Sequence, residues 1–95
     1  MYTLRIEHQV HDYAAWKSVF DADPADRRGA GVRRYRVSRS GPDGQQVHVD
    51  LDFDDEASAE AMLGRLRPIW AGTGASVMVD PVGTVLEQVE SVELG

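Results

Sequence analysis

The sequence contains no cysteine. Without a thiol the chain can form no disulfide, offers no thiolate ligand to a metal and has no cysteine nucleophile. Its fold must therefore rest on an apolar core, and 95 residues suffice for one domain spanning residues 1–95. The lack of cysteine fits a reducing compartment, so we expect a cytoplasmic protein.

Long apolar runs and lysine are also scarce. No stretch approaches the roughly 20 apolar residues that cross a membrane, and no signal-peptide core precedes the alternating residues 2–9. Lys17 is the only lysine, and the formal net charge is −6. This acidity disfavours a general nucleic-acid binder. We expect a soluble protein with neither a membrane nor a nucleic acid as partner.

Four segments of the chain have strand character. Residues 2–9 and 47–53 alternate apolar and polar side chains, which is typical of half-buried strands. Residues 32–39 precede the turn sequence Gly-Pro-Asp-Gly at 41–44, so they are predicted to form a hairpin with the 47–53 strand. A last strand is predicted from Thr84 to Val92.

Two segments have helical character. Asp12 offers an N-cap to a helix with apolar residues at 13, 16, 19 and 20. Pro24 ends that helix and can open a short second helical turn through Arg28, with the proline at its first helical position. Carboxylates at 54–56 start a second helix, which Pro68 is expected to kink or end. Residues 71–81 are predicted to be a loop, with an extended piece at 77–79.

This order of elements predicts a ferredoxin-like α+β fold. Right-handed crossovers favour a four-stranded antiparallel sheet in the order 4-1-3-2, with both helices on one face. The face under the helices would carry Leu4, Ile6, Val49, Leu51 and Phe53. The other face would carry Arg5, Glu7, Arg34, Arg36, His48, Asp50 and Asp52. That charged face is either solvated or docks on a second copy through shared arginine–carboxylate pairs.

The chain resembles the dimeric α+β barrel superfamily, which includes antibiotic-biosynthesis monooxygenase-like proteins and polyketide cyclases. The resemblance is carried by a first strand that ends in a polar residue, by Trp16 and Phe20 on the first helix, by strand 47–53, by the helix start 54–57 and by residues 66–70. It implies a homodimer formed through the sheet face and a ligand pocket between sheet and helices. Some members bind haem through a histidine of the second helix; none stands there in this chain, so we expect no cofactor.

Histidines supply the first candidates for chemistry. His8 should end the apolar row of the first strand, where an imidazole can act as general base or hydrogen-bond partner. The plainer alternative is a hydrogen-bonded histidine at a strand end. His11 is a candidate ligand contact or a loop residue. His48 is predicted on the opposite face from His8, so we expect no metal site.

Aromatic residues and arginines supply the remaining candidates. A flat apolar ligand would suit a pocket lined by Tyr13, Trp16, Met62 and Trp70, although such residues are also ordinary core. Tyr35 is the second candidate catalytic residue, and Arg33 would help to stabilise a substrate anion if both converge with His8. The arginines between 27 and 39 either recognise an anion or pair with the abundant acids.

Two functions remain open on these residues. One is an enzyme that resembles cofactor-independent monooxygenases or cyclases and acts on an aromatic or polyketide-like compound. The other is a non-catalytic homodimeric protein that binds such a ligand or serves as an accessory protein. Turnover that depends on His8 or Tyr35 would distinguish the first from the second.

Overall fold

The computed structural model describes all 95 residues. The strands pair antiparallel in the order β2-β3-β1-β4, which is the predicted order read from the other edge. The ferredoxin-like α+β fold is thereby confirmed. No helix has the length and apolar character needed to cross a membrane. In chain order the elements are β1 (Tyr2–Gln9), α1 (Tyr13–Asp21), β2 (Arg34–Ser40), β3 (Gln46–Phe53), α2 (Glu56–Ala71), a 3₁₀ helix (Thr73–Ser76) and β4 (Val79–Glu87).

Both helices begin at an aspartate that caps them. The Asp12 carboxylate accepts a hydrogen bond from the backbone N–H of Ala15 at 3.1 Å, and Asp55 accepts one from Ser58 at 2.7 Å. Each bond satisfies one of the backbone donors that a helix start leaves free. The predicted turn 41–44 closes the β2–β3 hairpin with a backbone bond of 3.1 Å, and both of its glycines have positive φ.

The core lies between the sheet and the two helices. Val49, Leu51 and Phe53 of β3 are each at most 2% exposed on the face that the helices cover. They pack with Leu4 and Ile6 of β1, as the alternating pattern predicts. The helices contribute Trp16, Ala59, Met62 and Leu63 to this core. The premise that the apolar sheet face meets the helices is therefore confirmed.

The opposite sheet face holds a network of charges around Asp52. Its carboxylate is 1% exposed and accepts hydrogen bonds from Thr3 Oγ1 at 2.8 Å, Arg34 Nε at 3.1 Å and Arg36 Nη1 at 2.9 Å. Beside it, Arg5 Nε donates to Asp50 at 2.9 Å. These pairs join neighbouring strands, as cross-strand pairing predicts, and the arginines remain largely exposed.

The last strand was predicted too late in the chain. β4 runs over Val79–Glu87, five residues earlier than expected, and Val89 and Val92 of the predicted strand lie exposed beyond it. Gly72, Gly74 and Pro81 indicated a loop over 71–81, but β4 is an edge strand, where a proline without an N–H is tolerated. Packing favours a glycine at position 83 of this strand, because a Cβ added there would lie 2.5 Å from Leu63.

Three other boundaries differ from the prediction. Pro68 lies inside α2 and does not end it, because the following turn is held by the packing of Ile69 and Trp70 against the core. Residues 24–28 form a series of turns with positive φ at Asp23 and Asp26, and no helix. β2 begins at 34, two residues later than predicted, since the turn ends at 31 and the Val32 N–H still donates to the Arg27 carbonyl at 3.0 Å.

Candidate ligand cavity

A cavity lies between the apolar sheet face and the two helices. Its volume is about 70 Å³, and 12 of its 17 lining residues are hydrophobic, so its interior is mostly apolar. A space of this size holds a few water molecules. The turn segment 23–27 forms one wall, and Arg65 of α2 fixes that segment by donating to the Ala25 carbonyl at 2.8 Å. The sheet contributes Ile6, His8, Val49 and Leu51; the helices contribute Trp16, Val19, Phe20, Met62, Leu66, Ile69 and Trp70.

His8 is the polar residue of the cavity wall whose ring has a nitrogen without a hydrogen-bond partner. The side chain is 2% exposed, and its Nδ1 lies 3.3 Å from the backbone carbonyl of Gln9. A carbonyl oxygen only accepts, so Nδ1 carries the proton of the neutral ring and Nε2 carries the lone pair. Nε2 is the one buried side-chain nitrogen or oxygen of the chain without a hydrogen-bond partner. The cavity wall thus includes a residue with a hydrogen-bond acceptor that receives no donor.

The charge state of His8 follows from its surroundings. Burial lowers the pKa of His8 below the ordinary value of 6.5; the contact with the Gln9 carbonyl opposes this, and the nearby His48 adds to it. The ring is therefore neutral at physiological pH. A neutral imidazole can accept a hydrogen bond or a proton from a ligand hydroxyl.

Aromatic rings continue from His8 along α1 toward the surface. The centroid of His8 lies 5.1 Å from that of Trp16, Trp16 lies 5.0 Å from Phe20, and Phe20 lies 5.4 Å from Tyr35 in an edge-on contact. Such tilted arrangements are the favoured geometry of aromatic pairs. The row links the buried imidazole to the exposed side of β2, and it offers flat apolar surface to a ligand.

Arg27 stands at the outer end of this row. Its guanidinium lies 4.0 Å from the Phe20 ring centroid and 4.9 Å from that of Tyr35, and Nη1 donates to the Phe20 carbonyl at 2.8 Å. Its Nε lies 3.6 Å from the Asp23 carboxylate. These contacts fix a cation where the cavity meets the surface, as stacked arginines do.

The structure brings together four of the eight predicted site residues. His8, Trp16, Met62 and Trp70 line the cavity, and neither tryptophan closes it. Tyr35 and Arg33 lie apart from His8 in a groove on the outer side of Arg27. The expected convergence of His8, Tyr35 and Arg33 in one pocket is therefore not present.

The other two predicted residues lie outside both spaces. His11 is exposed in the connection between β1 and α1. Tyr13 packs on the far side of Trp16, with ring centroids 5.6 Å apart, and is covered by the Arg39 guanidinium at 4.0 Å. Tyr35 is 45% exposed, so its hydroxyl can be satisfied by water and needs no protein partner.

Sequence reasoning missed the turn segment 23–27 as a cavity wall. Phe20 and Leu66 were recognised as members of apolar stripes, which was the available signal for a wall position. Arg27 was counted only as one of several arginines, because nothing in its spacing places it over an aromatic ring. Met78 and Gly74 come from the region predicted as a loop.

A second polar cluster lies on the charged sheet face. Ser40 Oγ is 2.8 Å from His48 Nε2, and His48 Nδ1 is 3.5 Å from a Glu7 oxygen. This is the order of a serine, histidine and acid relay. None of these three residues lines the cavity or the groove beside Arg27. A substrate bound in either would therefore not lie over the Ser40 hydroxyl. No three histidine and carboxylate side chains are grouped as metal ligands.

Comparison with known proteins gives the same fold. No family model matches the chain, and no curated protein sequence does. Among solved structures, SnoaB, a cofactor-independent oxygenase from Streptomyces nogalater, is 14% identical, with a TM-score of 0.73 over 96% of this chain and 95% of its own. The chain has the fold of the dimeric ferredoxin-like proteins.

Two further structures support that statement. A dimeric ferredoxin-like protein from an uncultured marine organism is 6% identical, with a TM-score of 0.67 over 98% of this chain and 99% of its own. Rv0793 from Mycobacterium tuberculosis is 17% identical, with a TM-score of 0.68 over 98% and 100%. The resemblance seen in the sequence is supported at the level of fold; activity must be argued from the site.

Proposed function

We propose that this protein oxygenates a flat phenolic compound, aromatic or polyketide-like, without a cofactor. The observation that carries the proposal is the buried, unpaired Nε2 of a neutral His8 at the wall of an apolar cavity. The fold shared with SnoaB, which is described as a cofactor-independent oxygenase, is consistent with it. In this proposal His8 is the catalytic base, and Trp16, Met62 and Trp70 contact the edge of the ring system that enters the cavity, since a volume of about 70 Å³ admits only part of it.

The chemistry needs one proton acceptor and molecular oxygen. Nε2 of His8 takes one proton from the substrate, either at a ring CH₂ conjugated with the oxygen or at the hydroxyl of its enol tautomer, and the electron-rich anion transfers one electron to O₂. The two radicals combine at this carbon, which has kept one hydrogen, and the resulting peroxide loses water as the C=O bond forms. The substrate CH₂ and O₂ become C=O and H₂O, so O₂ is the only oxidant required. The imidazolium returns its proton during the loss of water.

The environment of His8 suits the formation of an anion in contact with the imidazolium. An apolar cavity excludes bulk water, and a charge pair formed there is attracted more strongly than it would be in water. The same burial that lowers the pKa of His8 keeps the ring unprotonated before the ligand arrives. The acceptor is therefore in the reactive state at neutral pH.

Oxidation of 1,8-dihydroxyanthrone tests the proposal. Its CH₂ group lies between two phenolic rings, and its oxygenation to the anthraquinone consumes one O₂. We expect wild-type protein to accelerate O₂ uptake and quinone formation together, and His8→Gln to lose at least about tenfold of that acceleration. His11→Gln is the matched control, because it changes an exposed imidazole outside the cavity. Equal rates for wild type and His8→Gln would refute His8 as the base.

A non-catalytic ligand-binding protein is the second candidate. It is favoured by the partner of His8 Nδ1, which is a backbone carbonyl and not a carboxylate that would stabilise an imidazolium. Such a protein would bind 2-naphthol or the anthrone through His8 yet leave the rate of O₂ uptake at the buffer value. Binding by calorimetry, measured beside the oxygen assay, separates the two functions.

We also propose that the protein is a homodimer formed through the charged sheet face. The arginines of that face keep 45–66% of their side chains exposed, and Glu7 on the same face is 47% exposed, so the face presents both signs. A two-fold axis through it would place each charge near its opposite on the copy. The marine structure of this fold is described as dimeric, which is consistent with the proposal.

A further inference from the structure

A basic groove lies directly outside the cavity. It has a volume of about 350 Å³ and shares Asp23 and Arg27 with the cavity, so the two spaces meet at these side chains. The outer wall of the groove is formed by the start of β2 and the turn that precedes it. Its lining residues are Asp23, Arg27, Arg28, Val32, Arg33, Arg34 and Tyr35.

Most of the arginines in the groove already have carboxylate partners. Arg27 lies 3.6 Å from Asp23, and Arg33 lies 2.6 Å from Asp54. The third pair joins Arg34 to the buried carboxylate of the sheet face. Arg28 has no carboxylate within the 4.0 Å range of an ion pair and is exposed. The groove therefore keeps one uncompensated positive charge on a chain whose net charge is −6.

The boundary between groove and cavity is built to hold a cation in place. The Arg27 guanidinium lies against both the Phe20 ring and the Tyr35 ring and donates to a backbone carbonyl, so it is held more firmly than a free surface arginine. Asp23 in turn accepts the backbone N–H of Arg27 at 2.9 Å. Ordering these groups before a ligand arrives lowers the entropic cost of binding an anion between Arg27 and Arg28.

We propose that the groove binds the carboxylate of a ligand whose hydroxyl end enters the cavity at His8. The inference rests on the proposed ligand site at His8 and adds the class of ligand: an aromatic acid with its hydroxyl and its carboxylate at opposite ends. The row His8, Trp16, Phe20, Tyr35, with successive centroids 5.1, 5.0 and 5.4 Å apart, offers aromatic surface from His8 to the groove. Arg28 is the specificity residue, and Arg27 is the contact at the boundary.

A matched pair of naphthols tests this proposal. 2-Naphthol carries only the hydroxyl, whereas 6-hydroxy-2-naphthoate adds a carboxylate at the far end of the same rings. We expect wild type to bind the naphthoate about tenfold more tightly than 2-naphthol by calorimetry, with the preference falling as salt is raised. Arg28→Gln should abolish most of this preference and leave the affinity for 2-naphthol unchanged, since Arg28 has no structural partner.

Arg67→Gln is the charge-matched control, because Arg67 is an exposed residue of α2 outside both spaces. Its variant should keep the full preference. If wild type binds both naphthols equally, or if Arg67→Gln lowers the preference as much as Arg28→Gln does, the groove is not a carboxylate site, whereas the cavity proposal stands. If neither compound binds, the ligand site at His8 is wrong and the groove proposal falls with it.

Discussion

Replacing Asp52 by asparagine tests how much the charged sheet face stabilises the fold. The carboxylate is buried between β1 and β2, and it accepts hydrogen bonds from Thr3, Arg34 and Arg36. Burial alone would raise the pKa of Asp52, but the hydrogen bonds from Arg36, Thr3 and Arg34 outweigh it and lower the pKa to about 2. The folded protein thus holds this group as a carboxylate more firmly than the unfolded chain does.

The lowered pKa of Asp52 determines how much Asp52→Asn should destabilise the fold and how that loss should depend on pH. A fall from 3.8 to about 2 corresponds to about 2 kcal/mol of folding free energy. Because the folded pKa is the lower one, this contribution is complete above pH 3.8 and is lost as the pH falls toward 2. Asp52→Asn should therefore lower the free energy of unfolding at pH 7 by about 2 to 3 kcal/mol. It should also make the stability fall less steeply below pH 4.

Urea unfolding at a fixed protein concentration measures both quantities. Asp54→Asn is the control: its carboxylate also bonds an arginine, Arg33 at 2.6 Å, but that pair is 55–65% exposed. An exposed pair contributes at most about 1 kcal/mol. Equal losses for the two variants, or an unchanged acid slope in Asp52→Asn, would show that burial of Asp52 does not strengthen its bonds.

Three further predictions concern the packing, the base and the assembly. Gly83→Ala should lower stability by about 1 to 3 kcal/mol in thermal unfolding, because its Cβ would lie 2.5 Å from Leu63 and 3.2 Å from Trp70; Gly64→Ala, with open space around it, should not. Binding of 2-naphthol should be constant from pH 6.5 to about pH 8, where the naphthol keeps its own proton, and weaken below 6.5 as His8 takes up a proton, an acid dependence that His8→Gln should abolish. Light scattering should give the mass of a dimer that dissociates more readily at high salt; a monomer at micromolar concentration would contradict the proposed assembly.

The parts of the fold that were predictable are those specified by local chemistry. The alternation of β1 and β3, the two aspartate caps and the turn 41–44 each determine their structure within a few residues. β4 was misplaced because Pro81 is a strand breaker in isolation. It is acceptable at the edge of the sheet, and that position is a property of the assembled fold.

In the candidate site, too, some residues could be placed from local sequence patterns and others only from the assembled fold. His8, Trp16 and Met62 could be assigned to the cavity because the periods of strand and helix fix which way a side chain points. The position of Arg27 could not, because it depends on a turn in which Asp23 and Asp26 both have positive φ. That turn separates Tyr35 and Arg33 from the cavity that they were expected to share with His8.

The first strand explains how one small sheet can hold both proposed properties. Along β1, Arg5 and Glu7 point to the charged face, whereas Ile6 and His8 point under the helices. The sheet thus separates the side chains that would meet a second copy from those that would meet a ligand. Substitutions on the two faces share no partner, so their effects on stability should add. An assembly defect at Arg5 can then be told apart from a ligand defect at His8, because each leaves the contacts of the other intact.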